Sequence, residues 1–285
     1  MGRSYQRLLV AGADGFIGSN FVKLLRQTRP DTEIWVLDKL TGNPANLEEF
    51  EGQPGYRFIH GDICDKELVD TLAQHVDAMV NFAAETHVDR SIMDPFAFVQ
   101  TDVYGVAVLC EAALKHRHQA FHLVSTDEVY GDVAEGRSKE DDPFRPRSPY
   151  AASKAGGEHI ARAYAVTHGL PLLVTRGANN YGPRCYPEKL ISVLITNAID
   201  DLPLPLYNDG SAVRDYTYVE DHCRGIDAVL HEGRIGEAYN IGTGAETSGL
   251  TAARAVLELM GKPESLIQFV QDRKGHDYRY ALDIG

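Results

Sequence analysis

The segment Tyr150-Ala-Ala-Ser-Lys154 sets a phenol and an ammonium four residues apart. On a helix the two share a face, one turn from each other. An ammonium beside a phenol favours phenolate and makes it a usable base near neutral pH. Such a base takes the proton of a hydroxyl while hydride leaves the same carbon. Taken alone the pair is common, and a surface pair is the plain alternative. Upstream, Ser125-Thr126-Asp127-Glu128-Val129-Tyr130-Gly131 places two acids side by side at the end of an apolar run. Adjacent carboxylates in different environments can hold different protonation states, one as acid and one as base. Otherwise they cap a helix.

A third group supplies the place for a hydride acceptor. Gly12-Ala13-Asp14-Gly15-Phe16-Ile17-Gly18 is a GxxGxxG turn that follows an apolar strand and precedes a helix. Its glycines permit the tight turn, and its backbone N–H groups can approach a pyrophosphate at the helix N-terminus. Asp38 ends the next strand about 20 residues on, where a carboxylate accepts from the ribose hydroxyls of adenosine. An acid there repels a 2′-phosphate, so NAD is expected rather than NADP. Asp62, after the third strand, suits the adenine amino group. Ala83 and Ala84, after the fourth, leave room for the cofactor.

These groups need strand ends and helix starts to hold them. Apolar runs of strand length at Arg7 to Ala11, Glu33 to Leu37, Tyr56 to Ile59, Ala78 to Phe82, Ala120 to Val124 and Leu170 to Thr175 read as buried parallel strands. Helical stretches lie between them at Ser19 to Thr28, Lys66 to His75, Phe98 to His116 and Tyr150 to His168. The alternation predicts an α/β fold, a doubly wound parallel Rossmann sheet, with ligand at the strand C-termini. After about residue 180 the prolines at 183, 187, 203 and 205 break the alternation. Residues 1–180 are therefore expected to form the cofactor domain, and 181–285 a smaller, interleaved C-terminal substrate lobe.

Composition narrows the class. The chain has 285 residues, 28 Lys plus Arg and 41 Asp plus Glu, for a net charge of −13. That argues against nucleic acid and against an anionic membrane surface as partner. Cys64, Cys110, Cys185 and Cys223 are too far apart for CxxC pairs, so reduced thiols and no metal site are expected. No apolar run approaches the roughly 18 residues of a spanning helix. The N-terminus reads as a strand and turn rather than a signal peptide, and Gln6 occupies the position where myristoylation needs Ser or Thr. A cytoplasmic protein is expected.

With the glycine turn, Ser125 and the Tyr150/Lys154 pair together, the chain resembles the extended short-chain dehydrogenase/reductases that modify nucleotide sugars. Two adjacent acids narrow the resemblance, because water elimination across carbons 5 and 6 of a sugar needs a base and an acid, whereas oxidation at carbon 4 alone does not. The chain is similar to the dTDP-glucose 4,6-dehydratases along GADGFIGSN, AAETHVDRSIMDPFAF, STDEVYG, SPYAASKAGGEH, NNYGPRCYPEKLI, VRDYTYVEDH, YNIGTG and GHDYRYALD.

The resemblance implies three stages with recycled NAD. Tyr150 takes the 4-hydroxyl proton, Glu128 the carbon-5 proton, and Asp127 protonates the leaving 6-hydroxyl. Thr126 bonds the 4-oxygen, and Lys154 tunes Tyr150 and holds the nicotinamide ribose. Beside the cofactor it places Phe16, Ile17, Lys39, Ile63, Thr101 and Asn180. Beside the substrate it places Glu85, Thr86, Asn179, Lys189, Leu190, Pro205, Tyr207, Arg214, Arg273, His276 and Tyr280, with the three cations on the pyrophosphate and His276 and Tyr280 closing the phosphate end. It also implies a homodimer formed through the helices at Phe98 to His116 and Tyr150 to His168.

The chain departs from the pattern at several positions. Asp102 stands where relatives usually have Asn, and Val106 where they have Thr. Gly177-Ala178 replaces Cys-Ser, Gly249 an Asn and Lys274 a Pro, and the Tyr-Ala pair after Lys39-Leu40-Thr41 is missing. Relatives run on for a further helix past Gly285. Gly249 and Lys274 bear on thymidine against uridine. The rivals are a UDP-, CDP- or GDP-sugar dehydratase, a UDP-sugar 4-epimerase or decarboxylase, and an NAD-binding scaffold without activity. The paired acids argue against the epimerase and decarboxylase. The intact set of Thr126, Asp127, Glu128, Tyr150 and Lys154 argues against the scaffold.

Overall fold

A computed structural model describes residues 2–41, 46–86, 88–272 and 275–285. In chain order its elements are β1 (Arg7–Ala11), α1 (Phe16–Thr28), β2 (Glu33–Asp38), β3 (Tyr56–His60), α2 (Lys66–Ala73), β4 (Ala78–Asn81), α3 (Val88–Met93), α4 (Pro95–Phe98), α5 (Val106–Lys115), β5 (Ala120–Thr126), α6 (Pro149–His168), β6 (Leu172–Gly177), β7 (Asn179–Tyr181), α7 (Leu190–Ile199), β8 (Leu204–Tyr207), β9 (Val213–Tyr218), α8 (Val219–Glu232), β10 (Ala238–Ile241), β11 (Glu246–Ser248), α9 (Gly249–Met260) and β12 (Ile267–Val270).

The main sheet has seven parallel strands in the order β10-β6-β5-β4-β1-β2-β3. Successive side chains of a strand point to opposite faces, and β1 shows the consequence. Leu8 and Val10 pack with Phe21, Leu25, Cys223 and Ile226 of α1 and α8, whereas Leu9 and Ala11 pack with α2 and α5 through Leu72 and Leu109. Both faces are covered, so these strands read as unbroken apolar runs. The doubly wound sheet expected from the alternation is the one that forms. β10 lies outside the six runs expected, because Ala238–Ile241 is short and only partly buried.

Residues past 180 return to this sheet through α8 on one face and β10 at the edge. The rest of them build a separate small core, in which Leu194, Leu204, Leu206, Ala253 and Leu257 join α7, α9 and β8. Two small sheets border it, β11-β9-β7 and β12-β8.

The helix expected at Phe98 to His116 runs from Pro95 to Lys115, with a π-helical stretch over Val99–Gly105. At 21 residues and mean hydropathy 1.3 it has the length and composition to cross a bilayer, which the sequence reading had not allowed for any segment. More than half of it is buried here, against α6 and α2, as befits a core helix.

Candidate active site

The C-termini of the sheet strands open into a cleft of about 1200 Å³ that continues between the sheet and the small lobe. Its floor is the glycine turn. Gly12 has φ +70°, and a Cβ there would lie 2.3 Å from the Ala83 nitrogen; on Gly18 it would lie 2.7 Å from the Gly12 oxygen. Both glycines are thus dictated by close backbone approach. Gly15 caps α1 without a side chain, so the first N–H groups of the helix are left for a ligand and the helix dipole favours an anion there. Phe16, Ile17 and Gly18 line the cleft at this point.

Asp38 accepts from the amides of Asp14 (2.9 Å) and Leu40 (2.8 Å), which fixes its carboxylate at the rim. Asp62 accepts from the Cys64 amide, and the Asn81 side chain accepts from the Ala83 amide. Asp62, Ile63, Ala83, Ala84 and Thr101 all face the cleft. Lys39 Nζ lies 2.9 Å from Glu85, 3.8 Å from Asp62 and 3.4 Å from the Thr101 hydroxyl, so it ties the ends of β2, β3 and β4 together. Deeper in, the buried oxygens of the Ser125, Asn179 and Asn180 side chains have no hydrogen-bond partner, and all three residues line the cleft. Each such atom costs about 1–3 kcal/mol unless a ligand bonds it. A polar ligand lying along the strand ends, as a dinucleotide does, fits these groups.

The side chains expected to react sit at the centre. β5 ends in Thr126, whose hydroxyl accepts from the Glu128 amide and donates to Asp127 at 3.1 Å. Asp127 is only 3% exposed. Burial, reinforced by the neighbouring Glu128, pushes its carboxyl up to about 8, so it holds a proton at neutral pH. Glu128 is more exposed and lies 3.4 Å from the Tyr280 hydroxyl oxygen. Two adjacent acids therefore sit in two different environments.

Tyr150 and Lys154 enter from the first turns of α6, which Ser148 caps and Pro149 starts. Tyr150 bonds to Thr126. The expectation of a phenol lowered to a usable base near neutral pH is corrected here. Lys154 Nζ donates to the Val124 carbonyl at 2.9 Å, while burial first and then Glu128, joined by Asp102 and Asp127 once they ionise, raise the phenol well above its ordinary value. Burial also lowers Lys154, against the pull of Asp102 and Glu158.

The far wall comes from the small lobe. Asn179 and Asn180 lie on β7, which pairs with β9. Lys189 precedes α7 and Leu190 starts it; Pro205 and Tyr207 lie on β8. The Tyr207 ring meets His276 edge-on at 5.6 Å. Arg214 on β9 donates to the carbonyls of Val213, Tyr278 and Asp277 and contacts His276, so carbonyls and an imidazole orient it. The adjacent Asp215 accepts from the amides of Thr243 and Gly244, pinning the loop after β10. Glu85 and Thr86 reach the cleft from the end of β4.

Tyr280 needs correction. It is 4% exposed and lies behind Arg214, whose guanidinium sits 4.3 Å over its ring. Its hydroxyl donates to Asp277 at 2.6 Å and reaches Glu128. It therefore backs the Asp127–Glu128 pair rather than closing the phosphate end. Arg273 and Lys274 lie outside the described residues. The sequence reading missed Asp277 and Arg147, which pair at 3.2 Å behind Tyr280, and Ser153, which bonds Asp102. Only Asp102 had carried a signal, as a departure from the family pattern.

A profile of the GDP-mannose 4,6-dehydratase family matches residues 9–284. Low-salt glycan biosynthesis protein Agl12 of Haloferax volcanii is 51% identical over 278 residues, 97% of this chain and 89% of that protein. The dTDP-glucose 4,6-dehydratase of Streptomyces niveus is 50% identical over 283 residues, 97% and 84% of the two chains. The crystal structure of DesIV, a dTDP-glucose 4,6-dehydratase from Streptomyces venezuelae with NAD bound, superposes with a TM-score of 0.94 at 49% identity, covering 97% of this chain and 88% of that one.

Proposed function

The chain belongs to the GDP-mannose 4,6-dehydratase family and, within it, to the dTDP-glucose 4,6-dehydratases, and from that premise we propose how its residues carry the reaction. It is an NAD-dependent hydro-lyase that converts dTDP-glucose to dTDP-4-keto-6-deoxyglucose. NAD, when bound, supplies the hydride acceptor for carbon 4 and returns that hydride at carbon 6. Gly12, Gly15 and Gly18 with the start of α1 hold its pyrophosphate, and Asp38 its adenosine ribose. Tyr150 takes the 4-hydroxyl proton while Thr126 holds the 4-oxygen. The 4-ketone then acidifies carbon 5; Glu128 removes that proton and Asp127 gives its own to the departing 6-hydroxyl.

The observation that carries this reading is the buried Asp127, protonated at neutral pH beside a more exposed Glu128. An acid and a base are both required for water to leave. Arg214 and Lys189 hold the substrate pyrophosphate, which reconciles the ligand's charge with a chain of net charge −13. Tyr207 stacks on the base. The product is an entry to 6-deoxysugars such as rhamnose, and the reaction takes place in the cytoplasm.

A homodimer is part of the reading. Met93, Phe96 and Val166, 87%, 82% and 87% exposed, lie on α3, α4 and α6, with Ile92 on α3 and Val99 at the start of the π-helical stretch. Apolar side chains this exposed on adjoining helices favour burial against a second copy. Light scattering that gave a monomer would contradict it.

The test of function is turnover of dTDP-, UDP-, CDP- and GDP-glucose offered together with GDP-mannose, each followed by mass spectrometry. Loss of one water from dTDP-glucose alone is the expected result. Loss from another nucleotide would keep the chemistry and shift attention to Gly249, which lines the cleft at the start of α9.

A further inference from the structure

Asp102 lies in the π-helical stretch Val99–Gly105 and is 2% exposed. Its Oδ1 accepts from the Glu85 amide at 3.0 Å, and its Oδ2 is 2.6 Å from Ser153 Oγ. Ser153 Oγ also lies 2.8 Å from the carbonyl oxygen of Tyr150. A serine hydroxyl carries one proton. Facing an ionised Asp102 and a carbonyl, it meets two acceptors and can serve one. If Asp102 carries a proton, every contact is made: Oδ2–H donates to Ser153, and Ser153 donates to Tyr150.

We propose that Asp102 is a positioning residue that works in its protonated form, holding the first turn of α6 through Ser153 and leaving the charge of Lys154 unopposed beside Tyr150. The proposal rests, for its effect on turnover, on the role assigned above to Tyr150. Loss of the proton breaks the donor chain and sets a negative charge facing both Lys154 and Tyr150. That charge raises the phenol further, so the oxidation step slows as pH rises.

The surroundings are consistent with this. From α6 the charged or titratable groups are Tyr150, Lys154 and, one turn on, Glu158, which is paired with Arg176 and Arg162. From the end of β4 comes Glu85, held by Lys39. α4 brings no charge, and α5 carries Glu111 and Lys115. Burial pushes the Asp102 carboxyl up to about 6, against Lys154 and with Ser153 donating to it. With the Ser153 proton turned to the Tyr150 carbonyl, that support for the charge is gone and the carboxyl keeps its proton to higher pH.

The experiment compares the full-length enzyme with D102N and D102A, following water loss from dTDP-glucose between about pH 5.5 and 9. Asn keeps an acceptor for the Glu85 amide and a donor for Ser153 but does not titrate. D102N should hold its rate further into the alkaline range than the wild type, by about threefold or more at the top of the range, while D102A falls about tenfold throughout. Superimposable wild-type and D102N profiles would overturn the proposal. So would a D102N that fails throughout like D102A. A second measurement needs no substrate. A carboxyl whose pKa is raised on folding loses stability as pH climbs from its unfolded value, about 3.9, through its folded one. The Tm of D102N should therefore pull ahead of the wild type across that window and then stay level. A gap independent of pH refutes the protonated carboxyl, even if the substrate assignment itself were wrong.

Discussion

The two walls of the cleft are built differently. On the proposed cofactor side the groups are backbone amides and short side chains, each placed by its own strand end: the turn Gly12 to Gly18 after β1, then Asp38, Asp62 and Ala83 at the ends of β2, β3 and β4. Their geometry follows from strand pairing and a helix start, so each local sequence already encodes its own position. On the substrate side, Asn179, Lys189, Tyr207, Arg214 and His276 arrive from five separate segments. Nothing local aims them. Arg214 is oriented by carbonyls from near the C-terminus, and the loop after β10 is pinned by Asp215. The lesson is that backbone-built sites travel with their sequence, whereas side-chain-built sites depend on packing between distant segments. Asp127 and Glu128, the proposed acid and base, lie on the seam, with Thr126 supplied by the sheet and Tyr280 by the far segment.

The sharpest way to break this comparison is at the seam. Asp127→Asn should cut water elimination by about a thousandfold while leaving the initial oxidation, so reduced nicotinamide should accumulate at its absorbance band in a single turnover. Normal elimination would remove Asp127 from its role. The same variant should also be more stable than wild type at pH 7. A carboxyl raised on folding withdraws stability as pH climbs from about 3.9 toward its folded value of about 8, and Asn cannot ionise. Thermal melts at pH 4 and pH 7 would show the gap widening.

On the cofactor side, Gly12→Ala should weaken NAD binding by at least about thirtyfold, roughly 2 kcal/mol, because the new methyl meets the Ala83 backbone and the residue has φ +70°. Calorimetric titration of NAD measures it. An unchanged affinity would mean that the turn tolerates a side chain and is not shaped by close approach. On the substrate side, Arg214→Lys should raise KM for dTDP-glucose about tenfold and change kcat less, since lysine loses the planar fork but keeps the charge. A fall confined to kcat would place Arg214 with the chemistry instead.

The smallest effect lies beneath the sheet. His122 and His222 are fully buried, and burial lowers them to about 3 and 4. A histidine kept neutral by folding contributes no penalty above its unfolded value of about 6.5, and destabilises as pH falls below it. The wild-type Tm should therefore drop between about pH 6.5 and 4, and His122→Asn should flatten part of that slope. A slope unchanged in the variant would assign the acid sensitivity elsewhere.

Much of this was legible in the residues themselves. Six strand segments, the glycine turn and the carboxylate ending β2 follow from alternation and from the demands of a tight turn, which are local physics. The strand ends were misplaced by only a residue or two, since pairing continues as far as a neighbour lasts. β10 escaped notice because a short, partly buried edge strand leaves a weak apolar signature. The π-helical stretch at Val99–Gly105 has no periodicity cue, yet it presents Asp102 to Ser153.

The sequence alone determined the alternating architecture, the phosphate-binding turn and the candidate set of Thr126, Asp127, Glu128, Tyr150 and Lys154, because each is specified by neighbours in the chain. Only the tertiary structure decided which acid keeps its proton, that Lys154 bonds a carbonyl while burial and Glu128 raise Tyr150, and that Tyr280 lies behind Arg214 rather than at the phosphate end. Those outcomes are set by burial and by charges contributed from distant segments. Solvent exclusion and long-range proximity come into being only when the chain has folded.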